Sequence, residues 1–398
     1  MNILILNSGS SSLKYQVINM ENEEVLVNGY YEKVGSAGSF LSHKAKGEKF
    51  KFENEVADHK EALEIVISKI TDKECGVLKS LDEINAVGHR VVHGGEKFKE
   101  SVIIDNTVLE EIRKCAELAP LHNPPAILGI EACMDLIPEI PMVAVFDTSF
   151  HQTIPEHRYI YPVPYKYYKD YKVRKYGFHG TSHKYVANRV AEMIGKPIEE
   201  LKIISCHLGQ GASICAVDKG ISVETSMGFT PLGGIPMGSR CGDIDPSIVL
   251  YLMEKEGISF NEMNNILNKN SGLYGISEIS PDARDIEAAM ADGHKNSKLA
   301  LDNYHYLVAC YMAKAAVAMN GVDVITFTAG TGERGIETRE ELCKHLTFLG
   351  VEIDIEANNV KAEERLISTQ NSKVQIYVVP TNEELMIARE TKFLVNNI

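Results

Sequence analysis

The chain has 398 residues, 44% of them hydrophobic and 24% charged, with a formal net charge of −14. That length predicts two domains rather than one core, and the acidic balance excludes the basic footprint of a nucleic-acid or anionic-membrane binder. No apolar run approaches the roughly 20 residues of a membrane span, and no basic, then apolar leader precedes the first strand.

The first strand starts at once. Ile3-Leu4-Ile5-Leu6 runs into Asn7-Ser8-Gly9-Ser10-Ser11-Ser12, after which Leu13, Tyr15 and Val17 alternate with Lys14 and Gln16. The period of two predicts a hairpin whose turn is made of small and hydroxyl side chains. Such a turn lets backbone N–H groups approach phosphate oxygens, with Lys14 as a cation; an ordinary polar turn fits this loop equally well. Glu24 to Val34 reads as a third strand, Ala57 to Ile70 as an amphipathic helix, and Ile84 to His93 as a buried strand. Helices are predicted over Asn106–Leu118 and Pro124–Ile137, the latter with proline in its first turn. Met142 to Phe146 is another buried strand, and the Pro/Tyr-rich stretch Ile154 to Tyr176 reads as the domain junction.

The second half repeats the theme. Strand Leu201–Cys206, small-residue loop His207–Ser213, strand Ile214–Val217, a turn, and strand Ile221–Thr225 echo the opening meander. Helices dominate from Pro246 to Asn320, ending in a long one over Leu299–Met319. Strand Val322–Phe327 leads to a third glycine loop, Thr328 to Arg334, placed before a helix. Strand Val374–Val379 precedes a closing helix capped by Thr381 or Asn382. Two comparable halves of mixed strands and helices predict an α/β protein with related domains. The eight cysteines form no Cys-x-x-Cys pair. Cys206, Cys215 and Cys310 sit in apolar patterns, which predicts reduced core thiols in a cytoplasm and argues against zinc or disulfides.

Walker A spacing is absent, and no Gly-x-Gly-x-x-Gly opens a helix after the first strand, which argues against P-loop and dinucleotide readings. Gly330-Thr331-Gly332 could seat a phosphate or ribose on a helix N-terminus. Arg90, within an apolar strand, needs an anionic partner, and its planar fork suits carboxylate or phosphate; a structural ion pair is the competing reading. Asp147 ends a buried strand, where open α/β sheets place ligand contacts, although a turn-forming Asp would stand there too. Arg240 lies in a Gly-flanked loop, with Asp245 as a helix cap. His122 and His179 lie in rigid loops suited to positioned hydrogen-bond donors. Glu383, opening the last helix, could hold Mg²⁺ through water.

Taken together, Asn7-Ser8-Gly9-Ser10-Ser11-Ser12-Leu13-Lys14, Gly88-His89-Arg90-Val91-Val92-His93-Gly94-Gly95, Phe146-Asp147-Thr148-Ser149-Phe150-His151 and Gly177-Phe178-His179-Gly180-Thr181-Ser182-His183 resemble the acetate kinase family, in the same order and over essentially the whole chain. The resemblance implies duplicated actin-like (ribonuclease H-like) α/β domains with a nucleotide cleft between them. The first would span 1–150, with a C-terminal helix from about 384 packed back on it. The second would span 151–383 and carry the nucleotide site and a homodimer interface. It also implies reversible, in-line phosphoryl transfer between ATP and acetate, giving ADP and acetyl phosphate in the cytoplasm on the way to acetyl-CoA, with Mg²⁺ or, in its place, Mn²⁺. No nucleic-acid or membrane partner is expected.

Carried over residue by residue, the resemblance implies that Arg90 holds the carboxylate beside Asp147. His179 and Arg240 would stabilise the transferring group with His122 assisting, and Asn7 and Glu383 would place the metal. Val92, Leu121, Phe178 and Pro231 would line a methyl pocket. Lys14, His207, Leu208, Gly209, Gln210, Gly211, Asp282, Ala283, Arg284, Gly330, Thr331, Gly332, Glu333 and Arg334 would contact the nucleotide. This chain departs from the family pattern on the nucleotide side. Ala283 stands for Phe in Asp-Phe-Arg, Thr331 and Arg334 for Ile and Asn in Gly-Ile-Gly-Glu-Asn, and Gln210 for Asn in Gly-Asn-Gly. Ser239 and Cys241 also replace the usual Thr and Ser around Arg240. These changes predict a relaxed or shifted nucleotide preference. Propionate is the close alternative substrate, because one methylene changes discrimination by only about 1–3 kcal/mol. A non-catalytic nucleotide sensor and a sugar kinase are the rivals from other classes.

Overall fold

A computed structural model describes residues 1–120 and 122–397. Two sheets organise the chain. The first contains β1 (Asn2–Gly9), β2 (Ser12–Asn19), β3 (Glu24–Glu32), β4 (Phe40–Ala45), β5 (Glu48–Phe52), β6 (Ile84–Val91), β7 (Val102–Ile103) and β8 (Met142–Phe146), in the order β5-β4-β3-β2-β1-β6-β8-β7. The second contains β9 (Lys202–Leu208), β10 (Ala212–Asp218), β11 (Ile221–Thr225), β12 (Val324–Thr328), β13 (Arg365–Leu366) and β14 (Gln375–Val378), in the order β11-β10-β9-β12-β14-β13. The same arrangement recurs in both: an antiparallel meander (β3-β2-β1 and β11-β10-β9) followed by parallel strands (β6-β8 and β12-β14). This is the duplicated α/β architecture of actin-like domains.

The chain divides into two compact units, Met1–Phe150 with the segment from Asn382 onward, and His151–Thr381. The Pro/Tyr-rich stretch 154–176 therefore lies inside the second unit, where it forms the short helices Glu156–Tyr159 and Lys166–Tyr171. Strands β4 and β5 extend the first sheet beyond the expected meander. His43 on β4 is fully buried there, donating from Nε2 to the Cys75 carbonyl at 3.1 Å and accepting from the Tyr15 hydroxyl at 2.5 Å.

In the first unit, strand alternation sorts the side chains onto two faces. Leu4 and Leu6 of β1, with Val87 and Val91 of β6, join a core shared with the helices His59–Ile70 and Asn123–Leu136. Residues one step out of phase face the helix Glu383–Val395. A Cβ at Gly88 would stand 2.6 Å from Thr391 Oγ1 and 2.7 Å from Ile387 Cγ2, so only glycine admits that helix so closely. Asn7 and Arg90 share this phase, and Lys14 pairs directly with Asn7 across the hairpin. The three polar side chains are thereby delivered to the sheet face that carries the start of the last helix.

The hairpin turn is fixed from outside. His59 Nε2 donates to the Gly9 carbonyl at 2.7 Å, and Val34 N donates to the Ser11 carbonyl at 2.9 Å. Among the described residues, no helix is long and apolar enough to cross a membrane.

Several local expectations change. The stretch expected as a third glycine loop is a short helix, Ala329–Arg334, with Gly330, Thr331 and Gly332 inside it. The loop expected around His179 ends at that residue, which adopts a left-handed φ of 57° and caps the helix Gly180–Ile194. Cys310 is exposed on the helix Lys295–Met319, whereas Cys206 and Cys215 are buried as expected. The last helix is capped by Asn382, whose side chain accepts from Leu385 N at 3.0 Å.

Candidate active site

In the first unit the parallel pair β6 and β8 aligns Arg90 with Val145, so that Asp147 emerges just beyond the end of β8. Asp147 N donates to the Val91 carbonyl at 3.0 Å, fixing the backbone there. The Arg90 fork then engages the carboxylate twice, Nε to Oδ1 at 3.0 Å and Nη2 to Oδ2 at 2.6 Å. Asp147 is almost fully buried, whereas Arg90 keeps 20% of its side chain exposed. Burial works against the Arg90 charge, but Asp147 and Glu383 outweigh it and the guanidinium holds its proton more tightly than usual. Its Nη1 has no hydrogen-bond acceptor among the described residues.

Glu383 is the first residue of the closing helix. Burial pushes its carboxyl up to about 7, with Asp147 and Glu384 adding to the rise while Arg90 and Lys14 oppose it. The first unit thus gathers more negative than positive charge around Glu383. Among the described residues, no three His, Cys, Asp or Glu side chains form a ready metal cage. The donor set nevertheless fits Mg²⁺, which keeps several waters and needs only one or two carboxylates, and a divalent cation would favour the ionised form of the carboxyl that burial has driven toward neutrality. A hollow of about 230 Å³ opens beside Asn7, Lys14, Gln16, Tyr30 and Glu384. His122 is exposed at the start of the helix Asn123–Leu136, Val92 is half-buried, and Leu121 lies outside the described residues.

In the second unit a polar layer replaces the usual apolar packing between β9, β10 and the helix Gly180–Ile194. Ser213 lies opposite His207 across the strand pair. Its hydroxyl bonds His179 Nδ1 at 2.9 Å and His183 Nε2 at 2.7 Å. His183 Nδ1 reaches Ser205 Oγ at 2.8 Å, and Ser182 Oγ reaches His207 Nδ1 at 2.8 Å. The His179 and His207 rings stack with centroids 4.1 Å apart. This leaves His179 Nε2 aimed at the glycine loop: a Cβ at Gly211 would stand 3.2 Å from it and 3.6 Å from Arg240 Nη1. Arg240 is half-buried and burial lowers its proton affinity. Its Nη1 donates to the Pro231 carbonyl at 3.1 Å, and no carboxylate pairs with it among the described residues. A half-buried cation without a counter-charge is stabilised by an incoming anion. Phe178, next to His179, is buried, and Pro231 is half-buried.

Farther along the same unit lies a hollow of about 680 Å³, within the range of sites for nucleotide-sized ligands. Of the residues expected to contact a nucleotide, Gly209, Gln210, Asp282, Ala283, Arg284, Gly330, Thr331 and Arg334 line it. His207, Leu208, Gly211, Gly332 and Glu333 are not among its lining residues, and Lys14 belongs to the other unit. The reasons are local. Leu208 is wholly buried in β9, and the Glu333 carboxylate turns back to accept from Ala329 N at 2.8 Å and Thr381 N at 3.2 Å. Asp282 caps the helix Ala283–Ala291 and holds Arg284 by a fork at 3.0 and 2.5 Å. The lining also includes Glu287, Glu337 and Lys361, which no motif marked, together with Met237, Leu273 and Tyr304.

A fork-held arginine in one unit and, in the other, an arginine without a carboxylate partner and a nucleotide-sized hollow are groups suited to an α/β phosphotransferase. The chain belongs to the acetokinase family, whose model matches residues 2–389. It is 57% identical to the acetate kinase of Acetivibrio thermocellus, over 100% of each chain. It is 56% identical to that of Alkaliphilus metalliredigens, over 99% of this chain and 100% of the relative. Among solved structures it resembles Porphyromonas gingivalis acetate kinase, with TM-score 0.96, 44% identity and 99% of both chains covered. It also resembles a propionate kinase from Francisella tularensis, with TM-score 0.92, 42% identity and 99% of both chains covered.

Proposed function

We propose that the protein catalyses reversible transfer of the terminal phosphoryl group of ATP to acetate, giving ADP and acetyl phosphate. The observation that carries the reading is Arg90: its Nε and Nη2 are held by Asp147, which leaves Nη1 to meet a second carboxylate. Full-length identity to acetate kinases supports the same substrate.

Acetate is already ionised near pH 7, its pKa being close to that of a side-chain carboxyl at about 4. No strong base is therefore required, and Asp147 serves to orient Arg90 and the acceptor. An acetate oxygen attacks the terminal phosphorus as the bond to the ADP oxygen breaks, and that oxygen keeps the electron pair. Charge spreads over the equatorial oxygens of the moving group, where His179 and Arg240 supply donors, assisted by His122. Val92, Leu121, Phe178 and Pro231 receive the methyl group, and Lys14 meets a phosphate. Mg²⁺ (or Mn²⁺), when bound through Asn7 and Glu383, neutralises phosphate charge. The hollow beside Ala283 and Thr331 takes the nucleoside.

The likeness to a propionate kinase makes propionate the second reading. Hydroxylamine trapping with acetate, propionate and butyrate tests both. Acetyl hydroxamate should form fastest; propionyl hydroxamate ahead of it would exchange the two readings, and no hydroxamate from any acid would refute the kinase.

The same proposal includes a cytoplasmic homodimer. The helix Pro246–Glu256 has no buried residue, and Ile248, Leu250, Tyr251 and, just beyond it, Phe260 are 45%, 70%, 61% and 75% exposed. A second copy covering this apolar face accounts for it. Light scattering should give twice 44.1 kDa for the protein, whereas a monomeric mass would refute the dimer.

A further inference from the structure

The wall of the second unit's hollow carries polar groups that phosphate binding does not use. Glu287, Glu337 and Lys361 all line it, and none has a hydrogen bond or ion pair among the described residues. Glu287 lies on the helix Ala283–Ala291, one turn beyond Ala283. Side chains four apart share a helix face, and a long side chain leans back over the turn before it. Glu287 therefore reaches toward the space above Ala283. An aromatic at 283, as in the family pattern, would fill that space; a methyl group leaves the carboxylate open to the hollow. Burial, Glu337 and Asp282 together raise the proton affinity of Glu287, with only Lys361 opposing them. The carboxylate is thus short of donors.

The base edges of purine nucleotides differ in what they offer such a group. Guanine presents two adjacent donors, N1–H and the N2 amine, spaced to meet both oxygens of one carboxylate, with O6 as an acceptor beside them. Adenine presents one donor, the N6 amine, next to the N1 lone pair, which a carboxylate repels. Hypoxanthine keeps N1–H and O6 but lacks the N2 amine.

We propose that Glu287, uncovered by Ala283, is a specificity-determining residue that reads the guanine edge, with Lys361 opposite O6, so that this chain accepts GTP beside ATP where an aromatic at 283 would favour adenine. The inference rests on the reading of the hollow as the nucleotide site.

The test compares kcat/KM for ATP, GTP and ITP, with acetate saturating, in the native protein, Glu287→Gln and Ala283→Phe, alongside calorimetric binding of GDP and ADP. Glu287→Gln keeps the shape but exchanges one acceptor for a donor. It should lower the GTP/ATP ratio of kcat/KM by about tenfold to a hundredfold, the usual worth of a charged hydrogen-bond pair. ITP should show a smaller loss, and the GDP/ADP affinity ratio should fall in parallel. Ala283→Phe should move the ratios the same way without touching the carboxylate. A GTP/ATP ratio within twofold of native in Glu287→Gln would overturn the proposal even with ATP fully active. If no nucleotide were turned over, the phosphotransferase reading would fail instead, and the GDP/ADP binding ratio would still decide the base contact.

Discussion

Removing Arg90 should cost both stability and acceptor binding, and the two losses are separable. In Arg90→Met the volume is largely kept, but Asp147, whose side chain is only 2% exposed, loses both fork bonds at 3.0 and 2.6 Å. Breaking a buried pair by deleting one partner typically costs about 3–5 kcal/mol, most of it the penalty of the stranded charge. Glu383 would complicate the measurement near neutral pH, because its carboxyl, already at about 7, loses the pull of Arg90 and takes up a proton more readily. At pH 8 that relief is smaller. Urea unfolding there, followed by far-UV circular dichroism because the chain has no tryptophan, should show a midpoint lower by about 1 M or more for m-values of about 1–3 kcal/mol/M. The double variant Arg90→Met/Asp147→Asn removes the stranded charge and should recover most of that loss, while acetate KM stays raised in both. An unchanged midpoint in the single variant, or a double variant less stable than the single, would refute the stranded-charge account. An unchanged acetate KM would refute the carboxylate role.

Metal-free protein should lose stability as pH rises from about 4.5 to about 7. Glu383 binds its proton more tightly folded than unfolded across that window, so the native state is favoured below it and loses the advantage above it. The change should be about 1–3 kcal/mol, flattened by Glu383→Gln and by saturating Mg²⁺; thermal melts across pH that lack this slope would contradict it. Arg240→Ala should lower kcat by about 10²–10³ with little change in acetate KM, and a steady-state loss confined to KM would contradict its role at the transferring group. Arg339→Met should cost about 3 kcal/mol or more, because the carbonyls of Gly332, Asn358 and Val360 lose their donor. The KM for nucleotide should rise more than that for acetate, and equal rises would separate Arg339 from the hollow.

Strands with a clear period or a continuous apolar run were legible from the chain alone, and so was the repeated meander, because alternation and buried runs are local signals. The sheet face shared by Asn7, Lys14 and Arg90 follows from strand phase once the pairing is known. What the motifs could not reveal is where distant segments converge. Arg339 sits in Ile336–Lys344, a helix whose Glu337, Arg339, Glu340, Glu341 and Lys344 read as a solvated face. Yet its side chain is fully buried, because backbone carbonyls of Gly332, Asn358 and Val360 wait for it. Glu287 and Lys361 belong to one wall but lie far apart in sequence, and only the fold brings them together. Strands β4 and β5 carry no clear sequence signal because charged Lys44, Lys49 and Lys51 interrupt their short apolar pattern. Gly330-Thr331-Gly332 reads as a loop because two glycines oppose helix propensity, but Arg339 Nη1 donates to the Gly332 carbonyl and a tight turn is held nonetheless.

The helix Glu383–Val395 completes a unit whose other residues end at Phe150. During synthesis the first sheet therefore emerges long before the segment that covers one of its faces. Its Ile3, Ile5 and Gly88 remain without that helix while more than half of the chain is still to be made. Glu383 arrives on the same segment, so the carboxyl proposed to place the metal is installed last. The order of translation thus becomes a built-in check: a chain released before residue 383 lacks both the helix that covers this sheet face and the Glu383 carboxyl.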